Sequence, residues 1–150
     1  KDLIITSGGK NIAPQPIENL LKTSPYVANA VVIGDRRRFV SALVVPQFEK
    51  LQAYAQAQGI PAADMETLVR DKRIVAFLLD EVNRATPHLA SYERIKKIAV
   101  LPRDFEIEKG EITPSLKVRR ANVTAGYQAL IDAMYAEDEK DGREDAATVG

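Results

Sequence analysis

The chain has 150 residues and a mass of 16.5 kDa, enough for one domain with a sizeable core, and 45% of it is hydrophobic. Lys and Arg total 21 and Asp and Glu total 21, a balance that argues against non-specific binding of nucleic acid or of anionic membrane, both of which draw on a basic excess. No apolar run approaches the roughly 20 residues that span a bilayer, no signal-peptide pattern opens the chain, and cysteine is absent, which removes disulfides, thiolate metal sites and cysteine nucleophiles.

The charge is unevenly spread. Residues 136–150 hold six acids against Lys140 and Arg143, a net of −4, which leaves +4 on the other 135 residues. That segment has no apolar periodicity and reads as an acidic, disordered tail. The first residue is Lys1, not Met, which suggests a piece of a longer protein.

In chain order, Leu3–Thr6 is a β-branched run stopped by Ser7-Gly8-Gly9, predicting a brief strand and a glycine turn. Pro14 and Pro16 lead into Ile17, Leu20 and Leu21 at helical spacing, predicting a short helix from about Pro16 to Lys22. Val27–Ile33 and Phe39–Val45 are apolar runs joined by Gly34-Asp35-Arg36-Arg37-Arg38, a β-hairpin with a basic tip. Both runs are almost continuously apolar, so the hairpin is expected to be covered on both faces. Phe48, Leu51, Tyr54 and Ala55 mark a helix closed by Gly59, and Met65, Leu68 and Val69 begin another. Ile74, Val75, Leu78, Leu79 and Val82 predict an amphipathic helix ending before Pro87. Ile98–Leu101 predicts a strand, and Glu111–Thr113 an extended approach to Pro114. A last helix is expected from near Ser115, with Val123, Tyr127, Leu130, Ile131 and Met134 on its core face. The order is that of an α+β fold, a small mixed sheet packed with helices.

Several familiar chemistries find no support. His88 is the single histidine, which cannot build an imidazole metal site by itself. No serine lies in a nucleophile-elbow pattern. Ser7-Gly8-Gly9-Lys10 lacks the glycine spacing and the following Ser or Thr of a Walker A loop. Arg36-Arg37-Arg38 is either a phosphate contact or a solvated hairpin tip. Two segments stand out. The glycine turn offers bare backbone for close approach of a ligand, the plain alternative being a tight turn. Gly110-Glu111-Ile112-Thr113-Pro114-Ser115-Leu116-Lys117 is a polar glycine loop delivering Lys117 at or just before a helix start, where a cation opposes the helix dipole. A loop-borne lysine there can act as a mobile point charge for a phosphate or carboxylate.

Together the two segments resemble the C-terminal domain of the adenylate-forming superfamily, in the form found in long-chain fatty acyl-CoA synthetases. Asp2–Glu18, with Ile-Ile-Thr-Ser-Gly-Gly-Lys-Asn-Ile-Ala-Pro-Gln-Pro-Ile-Glu, is similar to the family's hinge motif. Gly110–Arg120 is similar to its catalytic-lysine motif, and Tyr92-Glu93-Arg94-Ile95-Lys96-Lys97 also fits. The resemblance implies that residues 1–135 form the mobile C-terminal lid domain, followed by the acidic tail over 136–150.

It further implies a two-step ligase that joins a fatty acid to ATP as acyl-adenylate and then passes the acyl group to CoA. Lys117 would stabilise charge in adenylation, Lys1 and Asp2 would form the hinge, and Gly8, Gly9 and Lys10 would line the CoA path. Ile5 stands where some relatives carry a second lysine, so that role is absent or met elsewhere. No residue is implied as a metal ligand. ATP, Mg2+ and CoA would be used by the full-length enzyme, with the N-terminal adenylation domain as partner and the fragment inactive alone. The implied setting is cytoplasmic, with peripheral membrane contact to collect lipid substrate. Two alternatives stay open: a non-catalytic module binding a phosphate or a protein, and the lid of an acyl-AMP ligase that loads a carrier protein.

Overall fold

The computed structural model describes residues 2–61 and 64–137. Contacts divide the chain into two compact units, one ending at Asp104 and one beginning at Phe105. The division follows the strand Ile95–Val100, after which Pro102 takes the chain out of the sheet.

The first unit opens with β1 (Ile4–Ile5) and β2 (Asn11–Ile12), which pair antiparallel across the glycine turn. β2 escapes sequence reading because two residues carry no periodicity. Helix α1 (Pro14–Leu21) starts two residues earlier than predicted, with Pro14 in its first turn, where a missing N–H costs nothing. Its Ile17 and Leu21 are buried, and Glu18 Oε2 accepts the Val32 N–H at 2.7 Å. That bond ties α1 to β3 (Val27–Ile33), which pairs antiparallel with β4 (Val40–Pro46). All seven residues of β4 are buried, as expected for a strand covered on both faces.

Between β4 and the last strand lie α2 (Phe48–Ala57), α3 (Met65–Leu68) and α4 (Lys72–Ala85). The stripe on α4 is as its period predicts, with Ile74, Leu78 and Val82 fully buried. β5 (Ile95–Val100) then runs parallel to β4, placing Ile98 opposite Ala42 in a mixed sheet of order β3-β4-β5. It begins three residues before the predicted strand because pairing with Val40 and Ser41 draws in Ile95-Lys96-Lys97, whose charges suit a sheet edge. One face of the sheet, with Ala30, Val32, Val44 and Val100, packs with Ile17, Leu51, Leu78 and their neighbours into one core.

In the second unit, α5 (Arg120–Gly126) is followed by a helix over 128–137. The predicted start near Ser115 is therefore five residues early, and the predicted face is partly wrong. Leu130 is 38% exposed while Tyr135 is buried beside Ile131 and Met134, because the break at Tyr127 resets the helical phase. Residues 136 and 137 are helical, and the rest of the acidic tail lies outside the described residues. Among the described residues no helix is long and apolar enough to cross a membrane.

Two stability predictions follow from this packing. Leu21 is fully buried and its neighbour Leu20 is 42% exposed, so Leu21→Ala should cost about 2–5 kcal/mol in urea unfolding and Leu20→Ala about 0.5 kcal/mol or less. Asp71 caps α4, accepting the Arg73 N–H at 2.9 Å and pairing with its guanidinium at 2.8 Å. The Arg73 hydrogen bonds lower its carboxyl from 3.8 to about 2. A lowered carboxyl stabilises the fold fully above its unfolded value and loses that contribution as pH falls through the folded one. Asp71→Asn should therefore flatten the pH dependence of stability between 3.8 and about 2, and leave its shape above that window unchanged.

Candidate functional site

The glycine turn is shaped by Thr6. Its N–H donates to the Lys10 carbonyl at 3.0 Å and its carbonyl accepts the Gly9 N–H at 2.9 Å. Gly9 has φ +84°, a conformation that side chains disfavour. Gly8 differs: a Cβ there would meet only Thr6 Oγ1, at 4.0 Å. Gly9 is thus needed for the turn, whereas Gly8 leaves open space in front of its backbone.

The basic hairpin tip docks on this turn. Arg36 N–H donates to the Ile5 carbonyl at 2.8 Å, Ser7 N–H to the Arg37 carbonyl at 2.9 Å, and Ile5 N–H to Asp35 Oδ1 at 3.2 Å. Gly34 permits the approach, since a Cβ there would lie 3.3 Å from Ile4 Cγ2. The tip is thus more than a solvated turn: Arg36 and Arg37 hold the glycine turn through their backbone.

Arg38 lines an open cleft of about 640 Å³ together with Thr6, Gly8 and Lys10 from the turn and Tyr92, Arg94 and Lys96 from the segment leading into β5. A 3-10 turn over Ser91–Glu93 brings Tyr92 there, with the Lys10 ammonium 5.2 Å from its ring centroid. Lys96 stands similarly over Phe39. Among the described residues four cations and no carboxylate line this cleft, so its field favours an anion with phosphate-like charge, and the aromatic rings add apolar surface beside it. The sequence pattern singled out Gly8 and Lys10. Joining Arg38 and Arg94 to them required the parallel pairing of β5 with β4, which no local pattern announces.

Lys117 lies in the second unit, on a small hairpin and not at a helix start. Pro114 occupies the second position of a turn in which Leu116 N–H donates to the Thr113 carbonyl at 2.8 Å. A bridge between Ile112 and Val118 and the bond from Arg119 N–H to the Glu111 carbonyl at 2.8 Å keep 117–119 extended, which delays α5 to Arg120. The opposition to a helix dipole therefore does not arise. The loop's base is fixed by Gly110, at φ +70°, whose carbonyl accepts from Asn122 Nδ2 at 2.7 Å. The Lys117 residue is exposed.

Of the two residues expected at the hinge, Asp2 is exposed and Lys1 lies outside the described residues. His88 is exposed, and among the described residues no three His, Asp or Glu side chains gather to hold a metal ion.

The family model for the AMP-binding enzyme C-terminal domain matches residues 1–139, and the chain belongs to that family. It is 35% identical to the long-chain-fatty-acid–CoA ligase FadD15 of Mycobacterium tuberculosis over 136 residues, covering 90% of this chain and 23% of that protein. It is 32% identical to human long-chain-fatty-acid–CoA ligase ACSBG1, covering 91% of this chain and 21% of the other. The A-PCP didomain of carboxylic acid reductase from Segniliparus rugosus, solved in complex with AMP, superposes with a TM-score of 0.74 at 26% identity, over 91% of this chain and 18% of that one. The chain thus spans less than a quarter of the length of these relatives.

The two glycines of the turn separate fold from site in a way unfolding can read. Gly9→Ala should cost about 1–2 kcal/mol, since it forces a Cβ into the left-handed region. Gly8→Ala should keep the urea midpoint of the parent chain, so that any loss it causes in the full-length protein falls on ligand binding.

Proposed function

We propose that this chain is the C-terminal lid of a long-chain fatty acid–CoA ligase and serves both of its half-reactions. In the first, a carboxylate oxygen attacks the α-phosphorus of ATP and the bond to pyrophosphate breaks. Negative charge crowds where carboxylate and phosphate meet, and the Lys117 ammonium offsets it without giving up a proton. In the second, the CoA sulfur, having lost its proton, attacks the acyl carbonyl and AMP leaves. The glycine turn and the cationic cleft bind CoA: Gly8 gives the thin pantetheine arm room against bare backbone, while Lys10, Arg38, Arg94 and Lys96 face the phosphates.

The observation that carries this reading is the exposed Lys117 on a folded, hydrogen-bonded loop, in a chain 35% identical to a long-chain ligase. The cationic cleft supports it independently. The partner is the protein's own N-terminal adenylation domain, which would hold ATP, Mg2+ and the acyl chain, so the isolated chain turns over nothing. Lys1 and Asp2, the residues expected at the hinge, would absorb the lid rotation in their backbone torsions. The reaction places the enzyme in the cytoplasm, with peripheral contact to a lipid surface to collect fatty acid.

The test uses the full-length ligase. Lys117→Ala should lower fatty-acid-dependent ATP–pyrophosphate exchange by about 10²–10³ while CoA still captures supplied acyl-adenylate. Lys10→Ala should do the converse, raising KM for CoA about tenfold in the capture reaction. Equal exchange rates with and without the Lys117 ammonium would leave a folded binding module and no catalytic lid.

A further inference from the structure

The two lysines are presented by one and the same five-residue device. In Thr6-Ser7-Gly8-Gly9-Lys10, the Thr6 hydroxyl oxygen accepts the Lys10 N–H at 3.1 Å, and the Thr6 N–H donates to the Lys10 carbonyl at 3.0 Å. In Thr113-Pro114-Ser115-Leu116-Lys117, the Thr113 hydroxyl oxygen accepts the Lys117 N–H at 3.0 Å, and the Thr113 N–H donates to the Lys117 carbonyl at 2.9 Å. Each threonine carbonyl also accepts the N–H of the residue before the lysine, at 2.9 Å from Gly9 and 2.8 Å from Leu116. That fourth residue is left-handed in both, at φ +84° for Gly9 and φ +65° for Leu116. The units that carry the two loops are separate, and their remaining residues have nothing in common.

We infer that Thr6 and Thr113 are positioning residues, each fixing the backbone of one lysine for one half-reaction: Thr113 sets Lys117 for adenylation and Thr6 sets Lys10 for CoA. The inference rests on the functional reading above. A lysine side chain has four rotatable bonds and directs its charge only as well as its Cα is held. Both polar groups of each lysine's backbone are taken by one threonine, so the loop cannot open without breaking bonds to that residue. The hydroxyl is the part of the clamp that a hairpin does not need. An isosteric valine would keep the N–H and carbonyl bonds and the β-branch, and lose the bond to the lysine N–H, together with the 3.0 Å bond between the Thr113 and Ser115 hydroxyls in the second loop. The strained φ of Leu116 points the same way, since a left-handed leucine persists only where its surroundings over-determine it.

The experiment measures both half-reactions in the full-length ligase for Thr113→Val, Thr113→Ser, Thr6→Val and Thr6→Ser, with Lys117→Ala alongside. Thr113→Val should lower the kcat of pyrophosphate exchange about 3- to 10-fold, as loss of the hydrogen bond to the lysine N–H would, with KM for ATP and fatty acid unmoved. Thr6→Val should raise KM for CoA in the capture reaction by a similar factor. The ratio of exchange to capture thus falls in the first variant and rises in the second, and each serine variant returns it to the parent value. A ratio that stays at the parent value in both valine variants, or moves the same way in both, overturns the inference even if Lys117→Ala abolishes exchange. If Lys117→Ala leaves exchange intact, the reading beneath it fails as well, and the two failures are told apart by that one variant.

Discussion

β1 and β2 contribute two residues each, far too little to hold a hairpin in water. The glycine turn depends instead on hydrogen bonds from the connection between β3 and β4, made by the backbone of Arg36 and Arg37 and by the Asp35 carboxylate. Because β4 is buried along its whole length, that connection has no freedom to drift. The order of a central strand is handed to its tip, and from the tip to the turn. Arg38 enters the cleft by the same route, lying two residues before β4 begins at Val40. The cleft is thus an outcome of sheet topology: one wall comes from the hairpin, another from the entry to the parallel strand β5.

The fold was legible where periodicity was long. The hairpin ends within a residue of its predicted bounds, and α4 buries its predicted stripe. Short elements were not legible, because their existence is decided by partners distant in sequence. β2 exists through Ile4 and Ile5, and the early start of β5 through Val40 and Ser41. The start of α5 was misplaced for a related reason. Residues 115–119 have acceptable helical propensity, yet Ile112 and Glu111 hold Val118 and Arg119 extended. A local bridge to residues six to eight positions earlier overrides propensity there.

The candidate site divides in the same way. Gly8, Gly9 and Lys117 were readable as residue types in unusual settings and Lys10 through the family resemblance, whereas the placing of Arg94 and Tyr92 beside the turn, in a segment the resemblance had included, became visible only with β5. The threonine device had a visible signal, a Thr three residues before a turn-closing position and four before a lysine, occurring twice. Nothing local says that such spacing matters. Its meaning lies in the hydroxyl oxygen reaching the lysine N–H, a feature of three-dimensional closure and not of composition.

The difference between the two copies of the device is informative about what each turn must accommodate. A left-handed position favours glycine, and the first copy uses Gly9 with Gly8 beside it, leaving bare backbone facing a cleft. The second copy places leucine there, at a cost of about 1–2 kcal/mol, with the residue 73% exposed. Glycine at that position would relieve the strain and also widen the conformations open to the loop before it closes. Leucine narrows them. The loop that carries Lys117 therefore gives up stability for definition, while the loop that carries Lys10 gives up definition for room. The proposed roles make these opposite demands, a point charge aimed at a transition state in one loop and room for a long, thin ligand in the other.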